Sequence, residues 1–152
     1  MTHVIYWAEP IDFAGNGPAH DPKTYEVAGM VEEALRKRGW SIYRPAAAWS
    51  VADGNPTYDV QRINMQVLDM ADAVVAVLPH GVHTVGVPFE LGYAEARNKR
   101  WRVVMSGRSW ALPHGVVGSN GKVWNLDSVS TETVVEELPR SLDDPITWEE
   151  LL

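Results

Sequence analysis

The chain has no cysteine. Disulfides, thiolate nucleophiles and thiolate-held metals are thereby excluded, and the absence fits a cytoplasmic protein. Long apolar runs are missing as well. None approaches the roughly 20 residues of a membrane span. The start, Met1-Thr2-His3-Val4, lacks the basic region and apolar core of a secretion signal. Positive charge is scarce: 13 Lys and Arg face 20 Asp and Glu, a net charge of −7. Nucleic-acid polymers and anionic membranes demand a basic face, so neither is expected as a partner. The chain carries no repeat and no low-complexity tract. It has no Gly-rich dinucleotide fingerprint and no Gly-Lys-Ser/Thr phosphate loop, so no cofactor is expected. His80 and His83 do not stand at metal-ligand spacing on a helix and no third ligand joins them, so no metal is expected.

What is present reads as one globular domain over residues 1–152, with 45% hydrophobic and 22% charged residues. A chain of this length buries roughly two thirds of its unfolded surface. Seven Trp are many for the length. They are expected in the core and in subunit contacts, and with the apolar chain end they point to a homo-oligomer.

Strand-like and helix-like segments alternate. His3 to Ala8, Trp40 to Tyr43, Ala73 to Leu78, Trp101 to Met105 and Lys122 to Leu126 read as strands. Asp21-Pro22 caps a helix with Val27, Met30, Val31, Ala34 and Leu35 at helical spacing, and Gly39 ends it. Asn55-Pro56 starts a second helix running to about Met70. A third runs from about Pro88 to Asn98, and Thr131 to Leu138 closes the chain. Each crossover holds a helix-sized segment, so the strands are expected to be parallel. The fold class is α/β: a three-layer, flavodoxin/Rossmann-like sandwich with a five-stranded parallel sheet in the order 2-1-3-4-5. Its topological switch lies between strands one and three, so the loops Trp7 to Pro18 and Pro79 to Val87 are expected to form the ligand cleft.

Glu90 is the leading candidate for chemistry. With Pro88 at the first helical position, the acid falls in the first turn, where the helix dipole favours its ionised form. A positioned carboxylate suits attack on an electron-poor carbon. Gly86 lets a ligand approach the backbone closely. Glu9, Asp12 and Asn64 are candidate substrate contacts, since amide and carboxylate groups read the donor and acceptor edges of a polar ligand. His83, or its neighbour His80, could donate a proton to that ligand. Asp72 is expected to cap or orient its loop. The cations Arg36-Lys37-Arg38 and Arg97, Lys99 and Arg100 are expected to oppose the dipoles at two helix ends.

Tyr6 in Ile-Tyr-Trp-Ala, the strand Ala-Asp-Ala-Val-Val-Ala-Val-Leu and the segment Gly-Val-Pro-Phe-Glu-Leu-Gly-Tyr-Ala together resemble the nucleoside 2-deoxyribosyltransferase family, whose superfamily includes nucleoside 5′-monophosphate N-glycosidases. The resemblance implies that Glu90 attacks the anomeric carbon of a deoxyribose. A glycosyl-enzyme ester then forms and a second base or water resolves it, as in retaining glycosidases. It implies that Tyr6 helps place Glu90, and that the partner is a small nucleoside or nucleotide. Two positions depart from the family pattern. Asn64 stands where an acid is usual, and Thr84 stands where transferases often have Asp and the monophosphate hydrolases a serine that meets phosphate. The loop after strand one lacks Lys and Arg and carries Glu9 and Asp12, which would repel a phosphate; Gly15 and Gly17 could supply backbone donors. Three functions follow: deoxyribosyl transfer between bases, hydrolysis of nucleoside 5′-monophosphates, or a non-catalytic nucleotide-binding module.

Overall fold

The computed structural model describes residues 3–10, 21–45, 57–82, 84, 86–107 and 120–143. Five strands, β1 (His3–Ala8), β2 (Trp40–Tyr43), β3 (Ala73–Leu78), β4 (Arg100–Met105) and β5 (Gly121–Asn125), form one sheet in the order β2-β1-β3-β4-β5. Every neighbouring pair is parallel. The helices are α1 (Pro22–Lys37), α2 (Thr57–Met70), α3 (Gly86–Ala96) and α4 (Thr131–Arg140).

The sheet divides two apolar layers. On one side Ile5, Trp7, Val75, Val77 and Val104 pack with Val27, Val31 and Leu35 of α1 and Val134 and Leu138 of α4. On the other, Tyr6, Ala8, Val74, Ala76, Trp101 and Val103 pack with Leu68 of α2 and Val87, Leu91 and Ala94 of α3. Successive residues of a strand face opposite sides, so β3, covered on both, is buried at all six positions. The four described tryptophans, Trp7, Trp40, Trp101 and Trp124, are core residues.

Helix α1 begins as the sequence expects, with Pro22 in its first turn and the Asp21 side chain accepting from Thr24 N at 3.3 Å. The same carboxylate accepts from the Thr24 hydroxyl at 2.7 Å and from His80 N at 2.8 Å. Thr24 Oγ1 lies 2.8 Å from Ser106 Oγ beyond the end of β4. Asp21 thus ties together the start of α1 and the segments that leave β3 and β4. Burial opposes its ionisation, but the His80 and Thr24 donors outweigh that and lower its pKa below 3.8. Asp21→Ala is therefore expected to lower stability at pH 7 by about 1–2 kcal/mol, the worth of a helix cap. A depressed carboxylate stabilises above its unfolded pKa and ceases to as pH falls through the folded one. The gap between wild type and variant in thermal melts should narrow below pH 3.8.

Two expectations at helix ends change. Helix α3 starts at Gly86 and ends at Ala96, two residues earlier than its sequence signals suggest. Thr84 Oγ1 accepts from Val87 N at 3.5 Å and so caps the earlier start. Proline is tolerated at Pro88 because the first four helical N–H groups have no partner within the helix. At the far end Asn98 takes a left-handed conformation (φ 58°), and Lys99 N donates to Ala94 O at 2.9 Å, closing the helix. The Lys99 side chain, however, does not serve α3. Its ammonium donates to Asp69 O and Ala71 O at the end of α2 (2.8 and 2.7 Å). Arg100 likewise donates to Leu142 O and Asp143 O after α4 (3.0 and 3.1 Å).

Candidate active site

The central strands β1 and β3 carry their carboxyl ends to the same edge, and α3 starts there. Glu90 is the fifth residue of α3, and the first turn contains no acid. This corrects the dipole argument, because the field of a helix end fades within its first turn. The acid's environment is instead set by burial. Oε2 is enclosed and has no well-formed hydrogen bond among the described residues. Burial raises the Glu90 pKa from 4.5 to about 7, against an opposing pull from the Tyr6 hydroxyl. At neutral pH the carboxyl is thus poised between its two forms rather than held as an anion.

Tyr6 comes from the middle of β1 and is wholly buried. Its hydroxyl faces Glu90 closely enough for each group to shift the other's titration, yet neither the hydroxyl nor Oε2 has a partner of good geometry. Burial first, and then the charge of Glu90, push the phenol's pKa far up, so it remains a neutral donor. A donor and an acceptor buried face to face without a completed bond are costly for stability. Both are expected on a site that has a ligand to complete it.

Gly86 lies over the acid: a Cβ there would sit 3.9 Å from Glu90 Oε1. Thr84 stands just before the helix, its hydroxyl oxygen turned to Val87 N. Asn64 of α2 is buried, and its Oδ1 accepts from the Tyr43 hydroxyl at 3.2 Å. Glu90, Tyr6, Gly86 and Thr84 therefore belong to one edge, with Asn64 behind Tyr43 on the same face of the sheet. Asp12 and His83 lie outside the described residues. His80 points elsewhere: its imidazole packs on Gly107, where a Cβ would meet Nδ1 at 2.1 Å. Asp72 holds the opposite end of the sheet, accepting from Val4 N at 2.8 Å.

Glu9 is not a bare loop carboxylate. Its Oε1 accepts from Arg44 Nη2 at 2.7 Å and Nε at 3.2 Å, and the side chain is 6% exposed. Arg44 also donates to Glu32 Oε2 at 2.9 Å and stacks 5.7 Å from the Trp7 ring. Burial works against this guanidinium's charge, but Glu9 and then Glu32 outweigh it and raise its pKa. The sequence offered one signal for this pairing: Arg44 directly follows β2, as Glu9 follows β1. The adjacency of those strands brings the two together.

A cavity of about 360 Å³ lies at the opposite edge, lined by His3, Arg38, Gly39, Trp40, Leu142 and Asp143. Its carboxylate, Asp143, is engaged by Arg38 at 3.2 Å. The Glu90 edge, by contrast, holds the enclosed carboxyl oxygen. Among the described residues no cluster of three or more His, Cys, Asp or Glu could hold a metal ion. No described helix is long and apolar enough to cross a membrane.

Residues 11–127 match the family model of nucleoside 2-deoxyribosyltransferase. The chain belongs to that family. Its members act on nucleosides or nucleotides, transferring deoxyribosyl groups or cleaving N-glycosidic bonds. Comparison with curated protein sequences gives no significant match. Solved structures share the fold. A Clostridium botulinum CMP N-glycosidase superposes with a TM-score of 0.60 at 12% identity, covering 89% of this chain and 97% of its own. A 2-deoxyribosyltransferase from Bacillus psychrosaccharolyticus gives 0.62 at 17% identity, covering 88% and 90%. A conserved protein from Enterococcus faecalis gives 0.63 at 16% identity, covering 93% and 100%.

Proposed function

We propose that this protein cleaves the N-glycosidic bond of 2′-deoxyribonucleosides and transfers the deoxyribosyl group to an acceptor base, with Glu90 as nucleophile. The observation that carries the reading is a buried acid facing a neutral tyrosine hydroxyl at the switch point of the sheet. In the first step a Glu90 oxygen bonds to C1′. The C1′–N bond breaks, and its electron pair leaves on the base nitrogen, which takes up a proton. In the second, a ring nitrogen of the incoming base attacks C1′ and sheds its proton, and the ester C–O bond breaks to restore the carboxylate. Two inversions retain the anomeric configuration. The carboxylate also stabilises the oxocarbenium-like charge between the steps. Tyr6 holds Glu90 in place. Asn64, Thr84, Gly86 and the undescribed Asp12 and His83 contribute to binding sugar and base. The protein is further proposed to be a cytoplasmic homo-oligomer of single-domain chains.

Incubation of a deoxynucleoside with a different free base should yield the exchanged nucleoside. Because only the ionised acid attacks, kcat/KM should rise with pH through a midpoint near 7, the Glu90 pKa, and then level off. A rate that is highest below pH 7 and falls through that same midpoint, with no rising limb, would make Glu90 a proton donor and overturn its role.

Hydrolysis of nucleoside 5′-monophosphates is the second reading. Thr84 favours it by placing a hydroxyl at the start of α3. Against it stands the pairing of Arg44, which follows β2, with Glu9 and Glu32, so that this cation is already engaged by two carboxylates. Base release from the monophosphate with little turnover of the matching nucleoside would select this reading. Ligand-dependent stabilisation with no product over long incubation would select a non-catalytic binding module.

A further inference from the structure

Tyr43 has no part in the reading above, yet it stands against its centre. It is the last residue of β2 and pairs in register with Tyr6 of β1. Directly paired residues of parallel neighbours share a face, and the two rings meet with centroids 5.9 Å apart, tilted by 37°. The Tyr43 hydroxyl is in turn anchored on Oδ1 of the buried Asn64 at 3.2 Å. The wall therefore runs from Asn64 through Tyr43 and Tyr6 to Glu90.

Tyr6 needs such support. Its buried hydroxyl lacks a completed hydrogen bond, so any freedom of the ring would be spent seeking a better acceptor. The ring of Tyr43 blocks that movement on the β2 side. Its hydroxyl also occupies the amide oxygen of Asn64, a buried acceptor of the same wall.

We propose that Tyr43, anchored by Asn64, is a positioning residue that keeps the Tyr6 hydroxyl directed at Glu90. Its mechanistic meaning rests on the reading of Glu90 as the reactive acid. Its structural content does not, because it can be measured without substrate. Of the described residues, Tyr6 is the titratable group acting on Glu90. On that face β3 presents only Val74, Ala76 and Leu78, and β4 presents Trp101, Val103 and Met105.

The test is the titration of Glu90 followed by carbon NMR in protein labelled at the Glu carboxyl carbons, with the signal assigned by its loss in Glu90→Gln. Tyr43→Phe keeps the ring and removes the anchor, and Tyr43→Leu removes both. Each is made in the wild type and in Tyr6→Phe. The Tyr6 hydroxyl favours the ionised acid, so releasing it should move the Glu90 midpoint upward by about 0.5 to 1 on the pH scale in Tyr43→Leu, and by less in Tyr43→Phe. In the Tyr6→Phe background neither change should move it further. An unchanged midpoint in the wild-type background, or an equal movement without the Tyr6 hydroxyl, would overturn the proposal. Should the leucine variant not fold, the phenylalanine variant decides by the same two criteria. A protein that titrates as expected but exchanges no base would refute the proposed reaction and leave the role of Tyr43 standing.

Discussion

Glu90→Gln is expected to lower deoxyribosyl transfer by on the order of 10⁴-fold or more, the scale seen when a covalent nucleophile is removed. Glutamine keeps the shape of the side chain and one acceptor oxygen, so substrate affinity should change far less than kcat. The loss falls on the step in which C1′ acquires its new bond. A variant that keeps more than about a tenth of the wild-type rate would exclude covalent catalysis by this residue. Steady-state rates of base release, together with nucleoside affinity measured by calorimetry on the inactive variant, separate the two effects.

The same substitution should stabilise the fold, and by an amount that depends on pH. Below pH 4.5 the Glu90 carboxyl is protonated in both the folded and the unfolded chain, and its ionisation costs nothing. Between pH 4.5 and about 7 the unfolded chain releases the proton while the folded one keeps it. Stability therefore falls as pH rises through this window, by ~3 kcal/mol in all. Glutamine has no charge to bury. At pH 8 Glu90→Gln should accordingly melt higher than the wild type by on the order of 10 °C, and at pH 4 the two should nearly coincide. An equal difference at both values would mean that the carboxyl is not desolvated in the fold. A gain in stability beside a loss of activity is the pattern expected where a site is held in an unfavourable state for chemistry.

Local patterns carried the fold. The uninterrupted Ala73–Leu78 run, the capped α1 with its apolar stripe and the helix-sized crossovers sufficed for the parallel sheet and its strand order. These are properties of neighbouring residues and of chain handedness. What the sequence hid is non-local. Glu90 read as an ionised first-turn acid because Pro88 resembled a first helical residue; the Thr84 cap moves the start back to Gly86, and enclosure leaves the acid poised between its two forms at neutral pH. Glu9 read as an unpaired loop acid because its partner, Arg44, is 35 residues away. Asn64 read as a ligand contact from its chemistry alone, which gave no sign that its carbonyl oxygen also meets Tyr43 across 21 residues. In each case the residue was identifiable as chemically notable, and its partner was set by which strands lie side by side or which helix packs on them.

The most direct test of the account is mass spectrometry of the intact protein, acid-quenched during turnover of a deoxynucleoside without acceptor base, followed by peptide mapping. The account predicts a mass increase of one deoxyribosyl group on the peptide containing Glu90, and its loss when acceptor base is added before the quench. Rapid base release with no adduct on that peptide, or an adduct on another residue, would contradict it.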